Sequence, residues 1–323
     1  MEANAIQTST WWMWLVFFVI VSTMISVDLF LFGGGKSHRV SKKESLGWTL
    51  VWFLMAVGFN FLFWIYLKEI HGSSIANIKA TEFFTGYLIE KSLSLDNIFI
   101  IAMIFNYFAI PKEYQRRVLM YGVIGAIIMR LILITAGLFL ISKFAWILYL
   151  FGIFLLITGI KMFIFADHKP DLQNNLFLLW MKNHLSITHE LHEEKFTIHQ
   201  NKKLYFTPLF LVLILIEITD LIFAIDSIPA IFAITHDPFI VFTSNIFAIL
   251  GLRALYFLFS DMNEQFYYLK YGLALILILI GLKMLLHHWI VIPVLINLGV
   301  IVVILAVSIV ASIYHKKNAC NSP

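Results

Sequence analysis

Residues 217–229 read EITDLIFAIDSIP and place three carboxylates, Glu217, Asp220 and Asp226, inside a run of apolar residues. An ionised side chain at the centre of a bilayer costs about 2.5–3.5 kcal/mol even on the lenient insertion scale. Three of them cost roughly 8–10 kcal/mol before any partner is found. Because folding a membrane helix does not require this cost, the stretch indicates a functional site.

The composition predicts that this stretch lies in a membrane protein. Hydrophobic residues make up 61% of the chain and charged residues 13%, and the mean hydropathy is +0.88, whereas soluble domains are about half apolar and a quarter charged. The apolar runs are long and do not alternate, so they favour helices over barrel strands. We therefore predict an all-α polytopic membrane protein, one transmembrane domain over 1–323 with about nine transmembrane helices. The predicted spans lie at approximately 12–32, 48–67, 81–106, 118–141, 145–166, 207–234, 239–259, 266–286 and 290–313.

The basic residues predict the orientation of these spans. Of the 23 Lys and Arg residues, fifteen fall in the loops after spans 1, 3, 5 and 7 and in the C-terminal tail, and three, Lys68, Lys79 and Lys143, fall on the opposite side. Cytoplasmic loops carry the excess of Lys and Arg, which places the N-terminus outside and the C-terminus in the cytoplasm. The net charge of +4 is thus explained by topology. The predicted surroundings are the lipid bilayer, with no nucleic-acid partner.

The chain also repeats itself, with one unit at 81–166 and a second at 207–286. A second acidic stretch, EKSLSLDN at 90–97, has its two acids six residues apart, as do two acids of the first stretch. The matched pairs are Glu90 with Asp220, Asp96 with Asp226, Asn97 with Ser227, Arg130 with Arg253, and GIKM at 159–162 with GLKM at 281–284. Each unit holds three spans, so the second must cross the membrane in the opposite sense. Such inverted repeats are typical of secondary transporters, whose substrate site lies between the repeats near the midplane.

The side chains of the two acidic stretches favour a hard metal ion. The predicted metal ligands are Glu90, Asp96, Glu217, Asp220 and Asp226, with Asn97 and Ser227 as supporting neutral oxygen donors. Oxygen ligands alone prefer Mn²⁺, Mg²⁺ or Ca²⁺ over copper or zinc. The single cysteine, Cys320, lies in the polar tail, and no Met falls within the acidic segments. The residues do not choose among the hard cations.

Nearby cations offer an alternative explanation, in which the acids form purely structural ion pairs. Lys91, Arg130 and Arg253 are available as counter-ions, yet three cations leave two acids over, and buried ion pairs stabilise poorly compared with apolar packing. We therefore expect these cations to tune a functional site. Crowded carboxylates are also expected to bind protons when no metal is present, so exchange of protons for a divalent ion is a hypothesis.

A polar cytoplasmic loop, 167–206, separates the repeats and contains five histidines. If the segment is helical, His189, His192 and Glu193 share one face and could hold a metal. A solvated amphipathic linker helix is the ordinary alternative.

The two acidic segments resemble a known family. EKSLSLDNIF and EITDLIFAIDSIPAIFAIT are similar to the two signature segments of the TerC family, and the nine-span layout looks most like its Alx-type members. The resemblance covers roughly residues 10–310 and implies a multi-pass protein of the bacterial inner membrane, associated with manganese export, tellurite resistance and expression at alkaline pH. It also implies that the family's acidic site corresponds to the five carboxylates above. Manganese would then be the substrate, with no permanently bound cofactor.

The leading prediction is therefore an Mn²⁺ efflux transporter, with coupling to protons as a hypothesis. Three alternatives stay open: a transporter of another cation such as Ca²⁺, a redox modulator of the tellurite or alkaline-pH stress response, and a membrane scaffold that binds partners through 167–206. An enzyme is not expected, because the spans contain no Cys, no GxSxG, no HExxH and no His.

Overall fold

The computed structural model describes residues 9–30, 42–144, 146–164, 187–188, 191–200, 203–259, 268–286 and 293–321. Within them the chain forms ten helices and one β-hairpin. The helices are α1 (Trp11–Phe30), α2 (Lys42–His71), α3 (Ser73–Tyr107), α4 (Lys112–Lys143), α5 (Ile147–Ile164), α6 (Pro208–Phe232), α7 (Pro238–Leu250), α8 (Leu252–Phe259), α9 (Leu269–Leu285) and α10 (Val294–Asn321). The strands are β1 (Thr197–Gln200) and β2 (Lys203–Phe206).

The predicted fold class, an all-α polytopic membrane protein, is confirmed. Five of the described helices are long and apolar enough to cross a membrane, and a sixth span results if α7 and α8 are counted as one bent helix. Each of the nine predicted spans overlaps one helix or, for the seventh, this bent pair. The exact number of membrane-spanning segments in the chain stays a prediction.

Helices from the two predicted repeats pack mainly against one another. The first unit contains α3, α4 and α5, and the second contains α6, α7, α8 and α9. Helix α3 packs against α6 and α7, α4 packs against the same two helices, and α5 packs against α9. Both acidic stretches, in α3 and α6, therefore face the interface between the units.

The closest of these contacts, between α5 and α9, is reciprocal. A methyl group placed on Gly159 would lie 2.9 Å from the Ala274 carbonyl oxygen, and one placed on Gly281 would lie 2.8 Å from the Gly152 carbonyl oxygen. Small residues let membrane helices approach this closely. Gly159 matches Gly281 in the repeat, and the same shift of 122 residues matches Gly152 with Ala274. An inverted repeat would produce reciprocal contacts of this kind, and the repeat itself stays a prediction.

A break at Gly251 separates α7 from α8, and the two helices are bent by 40° relative to each other. Asp237 caps the start of α7, where its side chain accepts hydrogen bonds from the backbone N–H groups of Phe239 and Ile240 at 3.0 and 3.4 Å. The matched helix of the first unit, α4, runs unbroken over 32 residues. The two units therefore differ at this point.

The described part of the 167–206 loop is a turn followed by a hairpin, so the expected linker helix is wrong for these residues. Strand β1 pairs antiparallel with β2, from Thr197 with Phe206 to Gln200 with Lys203. The β-branched residues of TIHQ and the aromatic residues of KLYF favour a strand over a helix. His192 and Glu193 lie in the turn, while His189 lies outside the described residues.

Candidate functional site

Arg130 is the centre of a buried polar cluster between the two units. Its side chain, in the middle of α4, is 1% exposed. Its Nη2 donates to Asp220 Oδ1 at 3.0 Å and its Nε lies 3.4 Å from Asp220 Oδ2, while Nη1 donates to Glu90 Oε1. The planar guanidinium suits this use, because it presents several donors in a fixed fork. The structure thus brings together the matched acids Glu90 and Asp220 and places the predicted counter-ion Arg130 between them.

Asn245 completes this cluster and was missed in the sequence. It lies in α7 and is fully buried. Its Oδ1 accepts a hydrogen bond from Arg130 Nη1 at 2.9 Å, and its Nδ2 donates to Glu90 Oε2 at 3.1 Å. An amide within the apolar run 239–259 was the available signal, but single asparagines in membrane helices often bond only a neighbouring helix. Ser227 is a weaker member, since its Oγ lies 3.5 Å from Arg130 Nη1.

Asn97 lies beside Asp220 on the wall of a small cavity. Its Nδ2 donates to Asp220 Oδ1 at 3.4 Å, and its Oδ1 is buried without a hydrogen-bond partner among the described residues. The cavity has a volume of about 20 Å³, and its polar lining comes from Asn97, Thr219 and Asp220. This is room for one water molecule or one small ion.

Glu217 lies one turn before Asp220 on α6 and packs against α4 where that helix has glycines. A methyl group on Gly125 would overlap the Glu217 carboxylate, and one on Gly122, which lines the cavity, would lie 4.0 Å from Glu217 Oε1. Glu217 Oε2 is buried and has no hydrogen-bond partner among the described residues. Glycine at position 125 therefore makes the space that this acid occupies.

Asp226 is not part of the Arg130 cluster. It lies six residues beyond Asp220, about 9 Å along the helix axis and about 120° round it. Its carboxylate is hydrogen-bonded to Thr158 of α5. The sequence-predicted ligands on α6 are therefore divided between two places, and the role of Asp226 in metal binding stays a prediction. So does that of Asp96, which lies in α3 but whose side chain is outside the described part of the structure.

The other two predicted counter-ions lie near the α7–α8 break. Lys91 follows Glu90 in α3, and its Nζ donates to the backbone carbonyl of Ala248 at 3.1 Å. Arg253 is buried in α8, with 1% of its surface exposed. Lys91 thus bonds a backbone oxygen in this structure, and its role as a counter-ion stays a prediction.

A second buried charged group lies nearer the start of α3. Lys79 and Glu82 form an ion pair at 3.0 Å, and Thr235 Oγ1 donates to Glu82 Oε2 at 2.7 Å. All three side chains are almost fully buried. Glu82 precedes Glu90 by eight residues, about 12 Å along the helix. This group was missed in the sequence, because its residues lie close to the predicted ends of spans, where charges are ordinary.

The described residues contain no group of three or more His, Cys, Asp or Glu side chains already arranged to hold a metal ion. Glu90 and Asp220 instead bind Arg130. What the site offers a cation is a set of oxygens around the cavity, of which Asn97 Oδ1 and Glu217 Oε2 are unpartnered.

Comparison with known proteins places this site in a family of membrane proteins. The sequence model described as "Integral membrane protein TerC family" matches residues 75–319. The chain is 49% identical over 308 residues to the "Putative membrane-bound redox modulator Alx" of Salmonella typhi, covering 95% of this chain and 96% of the relative. The protein of the same name from Escherichia coli K12 is 49% identical over 298 residues, covering 92% and 93%. An "Uncharacterized membrane protein" of Rickettsia felis is 48% identical over 304 residues, covering 94% and 98%. No solved structure matches.

Proposed function

Because the chain belongs to the TerC family of integral membrane proteins, we propose that it is an inner-membrane transporter of a divalent metal ion, and that its substrate is Mn²⁺ exported from the cytoplasm. Export requires a path through the interface where the two acidic helices meet. The family resemblance supports manganese, and the site chemistry supports a hard divalent cation.

The observation that carries this proposal is the pair of unpartnered oxygens beside Asp220. A buried polar atom without a partner costs about 1–3 kcal/mol, and here Asn97 Oδ1 and Glu217 Oε2 both lack one among the described residues. They lie next to a cavity that would hold one ion. A cation bound there would be held by the charge of Asp220, and the two residues that carry these oxygens, Asn97 and Glu217, lie at and beside the cavity.

The donor atoms around the cavity select the class of ion. Its polar lining consists of an amide, a hydroxyl and a carboxylate, from Asn97, Thr219 and Asp220, and Glu217 lies beside it. Hard cations with six or more ligands prefer such oxygens, whereas copper and zinc prefer thiolate or imidazole. Water and substrate-side ligands would complete the coordination shell.

Competition for the carboxylates of the site would help to release the bound ion. The Arg130 guanidinium already bonds Asp220 through both carboxylate oxygens, so a metal ion and Arg130 compete for the same acid. A proton on Glu217 would likewise compete with the metal for that carboxylate. We therefore propose exchange: entry of the metal displaces protons, and reprotonation from the opposite side of the membrane expels the metal.

The test is the manganese content of cells that express the wild-type chain, Asp220→Asn or Glu217→Gln under manganese stress. We expect wild type to lower cellular manganese at least several-fold relative to empty vector, and both variants to lose most of this effect. Glu69→Gln is the matched control, because Glu69 is an exposed carboxylate at the end of α2. Manganese levels that are the same in Asp220→Asn and wild-type cells would overturn the proposal.

The printed name of the Alx relatives favours a second candidate, modulation of membrane redox state. The chain has one cysteine, so an internal dithiol cannot carry such a function, and it would need a redox partner. A cytoplasmic thiol-redox reporter in Cys320→Ser and Asp220→Asn cells separates the two candidates. A redox change that depends on Cys320 and leaves manganese unaltered would favour the second.

A further inference from the structure

The break between α7 and α8 leaves backbone carbonyls that need donors from elsewhere. A helix end has no intrahelical partners for its last carbonyls, and in a bilayer there is no water to replace them. The last turn of α7 ends at Leu250, inside the buried part of the protein. The backbone N–H of Gly251 donates to the Ile249 carbonyl, so the other carbonyls of this turn need donors from elsewhere.

Lys91 supplies such a donor. Its Nζ donates to the Ala248 carbonyl at 3.1 Å, and it packs against the break itself: a methyl group on Gly251 would lie 2.5 Å from Lys91 Nζ and 3.2 Å from Trp52 Cβ. The preceding residue, Glu90, accepts a hydrogen bond from Asn245, one turn earlier in α7. Two consecutive residues of α3 thus hold the last two turns of α7.

Helix α8 contributes to the wall of the cavity. Its first residue, Leu252, lines the cavity together with Asn97 and Asp220. A change in the bend at Gly251 would move this wall. The other half of the chain lacks the arrangement: Leu221 stands where the repeat aligns with Lys91, Ile128 stands where it aligns with Gly251, and α4 is unbroken.

We propose that Lys91 is a positioning residue that holds α7 and α8 in the broken form, and that α8 is a lid on the ion cavity, hinged at Gly251. This inference rests on the proposed function for its biological meaning, since a lid matters only if an ion passes. Its structural content is independent of transport. Without the Lys91 ammonium, the Ala248 carbonyl loses its donor. It regains a partner when the i→i−4 hydrogen bonds of the helix continue through Gly251. The helix then straightens, and Leu252 leaves the cavity wall.

The expected movement of α8 is large enough to measure. Helix α8 has eight residues, or about 12 Å, and removing a bend of 40° would shift its far end by about 8 Å. Distances between two spin labels resolve such a shift. One label is placed at Phe259, at the end of α8, and the other at Leu46 of α2, which is exposed. Both are introduced in a Cys320→Ser background, which removes the only native cysteine.

We expect Lys91→Leu to change the label-to-label distance by several Å relative to the parent, and Lys91→Arg, which retains a donor, to keep the parent distance. Lys143→Leu is the control, since Lys143 is an exposed lysine at the end of α4. An unchanged distance in Lys91→Leu would overturn the lid. If that variant does not yield folded protein, Gly251→Ala carries the same test, because its methyl group displaces Lys91 Nζ; an unchanged distance there would overturn the lid as well.

The measurement uses purified protein without metal, so it can fail separately from the transport proposal. If Lys91→Leu shifts the distance but wild-type cells do not export manganese, the proposed function is excluded and the lid proposal is retained. If wild-type cells export manganese but Lys91→Leu does not shift the distance, the lid proposal is excluded and the transport proposal is retained.

Discussion

Glu90 and Asp220, which occupy matched positions in the two halves of the chain, bind the same guanidinium, that of Arg130. The two acids come from α3 and α6, and the arginine comes from α4. One cation therefore joins both repeats at their interface. This relation explains how acids that are expensive in a membrane are tolerated. Asp220 also lines a cavity beside Asn97 Oδ1 and Glu217 Oε2, which have no hydrogen-bond partner among the described residues.

Replacing Arg130 should destabilise the protein strongly. Arg130→Met leaves Glu90 and Asp220 without their shared donor, and removing one partner of a buried ion pair costs about 3–5 kcal/mol. Thermal unfolding in detergent should show a large fall in Tm. Arg130→Lys keeps the charge but cannot bridge both acids, so we expect an intermediate Tm. A Tm for Arg130→Met equal to that of wild type would contradict the central role of this residue.

Replacing Asn245 should have a smaller effect of the same kind. Asn245→Ala removes the donor to Glu90 Oε2 and the acceptor for Arg130 Nη1, which should cost about 1–3 kcal/mol. Asn77→Ala is the control, because Asn77 is an exposed amide whose Oδ1 accepts a hydrogen bond from Trp64, away from the Arg130 cluster. Parallel unfolding curves for the two variants would show that Asn245 is not part of the buried network.

Adding one methyl group at Gly125 should impair manganese export. The methyl group overlaps the Glu217 carboxylate, so Gly125→Ala must move this carboxylate from its present position beside the cavity. We expect most of the export to be lost while the protein level in the membrane stays close to wild type. Gly58→Ala is a matched control in a membrane helix, because nothing lies within 4 Å of the added methyl. Full export by Gly125→Ala would exclude Glu217 from the ion site.

Methyl groups at Gly159 and Gly281 should be equally harmful. Each would approach backbone atoms of the facing helix at about 2.8–2.9 Å, and backbone cannot move aside as a flexible side chain can. Overpacking of this kind costs about 1–3 kcal/mol. We expect similar falls in Tm for Gly159→Ala and Gly281→Ala, and none for Gly299→Ala, where the space is open. A large difference between the first two would argue against a reciprocal α5–α9 contact.

The sequence could predict the helices and most of the acidic residues of the candidate site, because both predictions depend on local chemistry. Apolar runs of about 20 residues form spanning helices whatever surrounds them, and the cost of a charge in lipid marks Glu90, Glu217, Asp220 and Asp226 as unusual before any partner is known. The repeat could be predicted in the same way, since Arg130 and Arg253 precede the matched residues Lys161 and Lys283 by 31 and 30 residues. Hairpin β1–β2 was missed because a short polar segment has no strong periodicity.

By itself, then, the sequence determined an all-α membrane protein with acids concentrated on two helices, because hydropathy and charge cost act residue by residue. Only the tertiary structure decided which acids meet. Six residues along one helix separate Asp220, bound to Arg130, from Asp226, bound to Thr158 of a different helix. It also decided that Asn245 joins the cluster, that Gly125 accommodates Glu217, and that Lys91 donates to a backbone carbonyl at the α7–α8 break. These outcomes depend on the rotation and spacing of packed helices, which no single segment of the chain specifies.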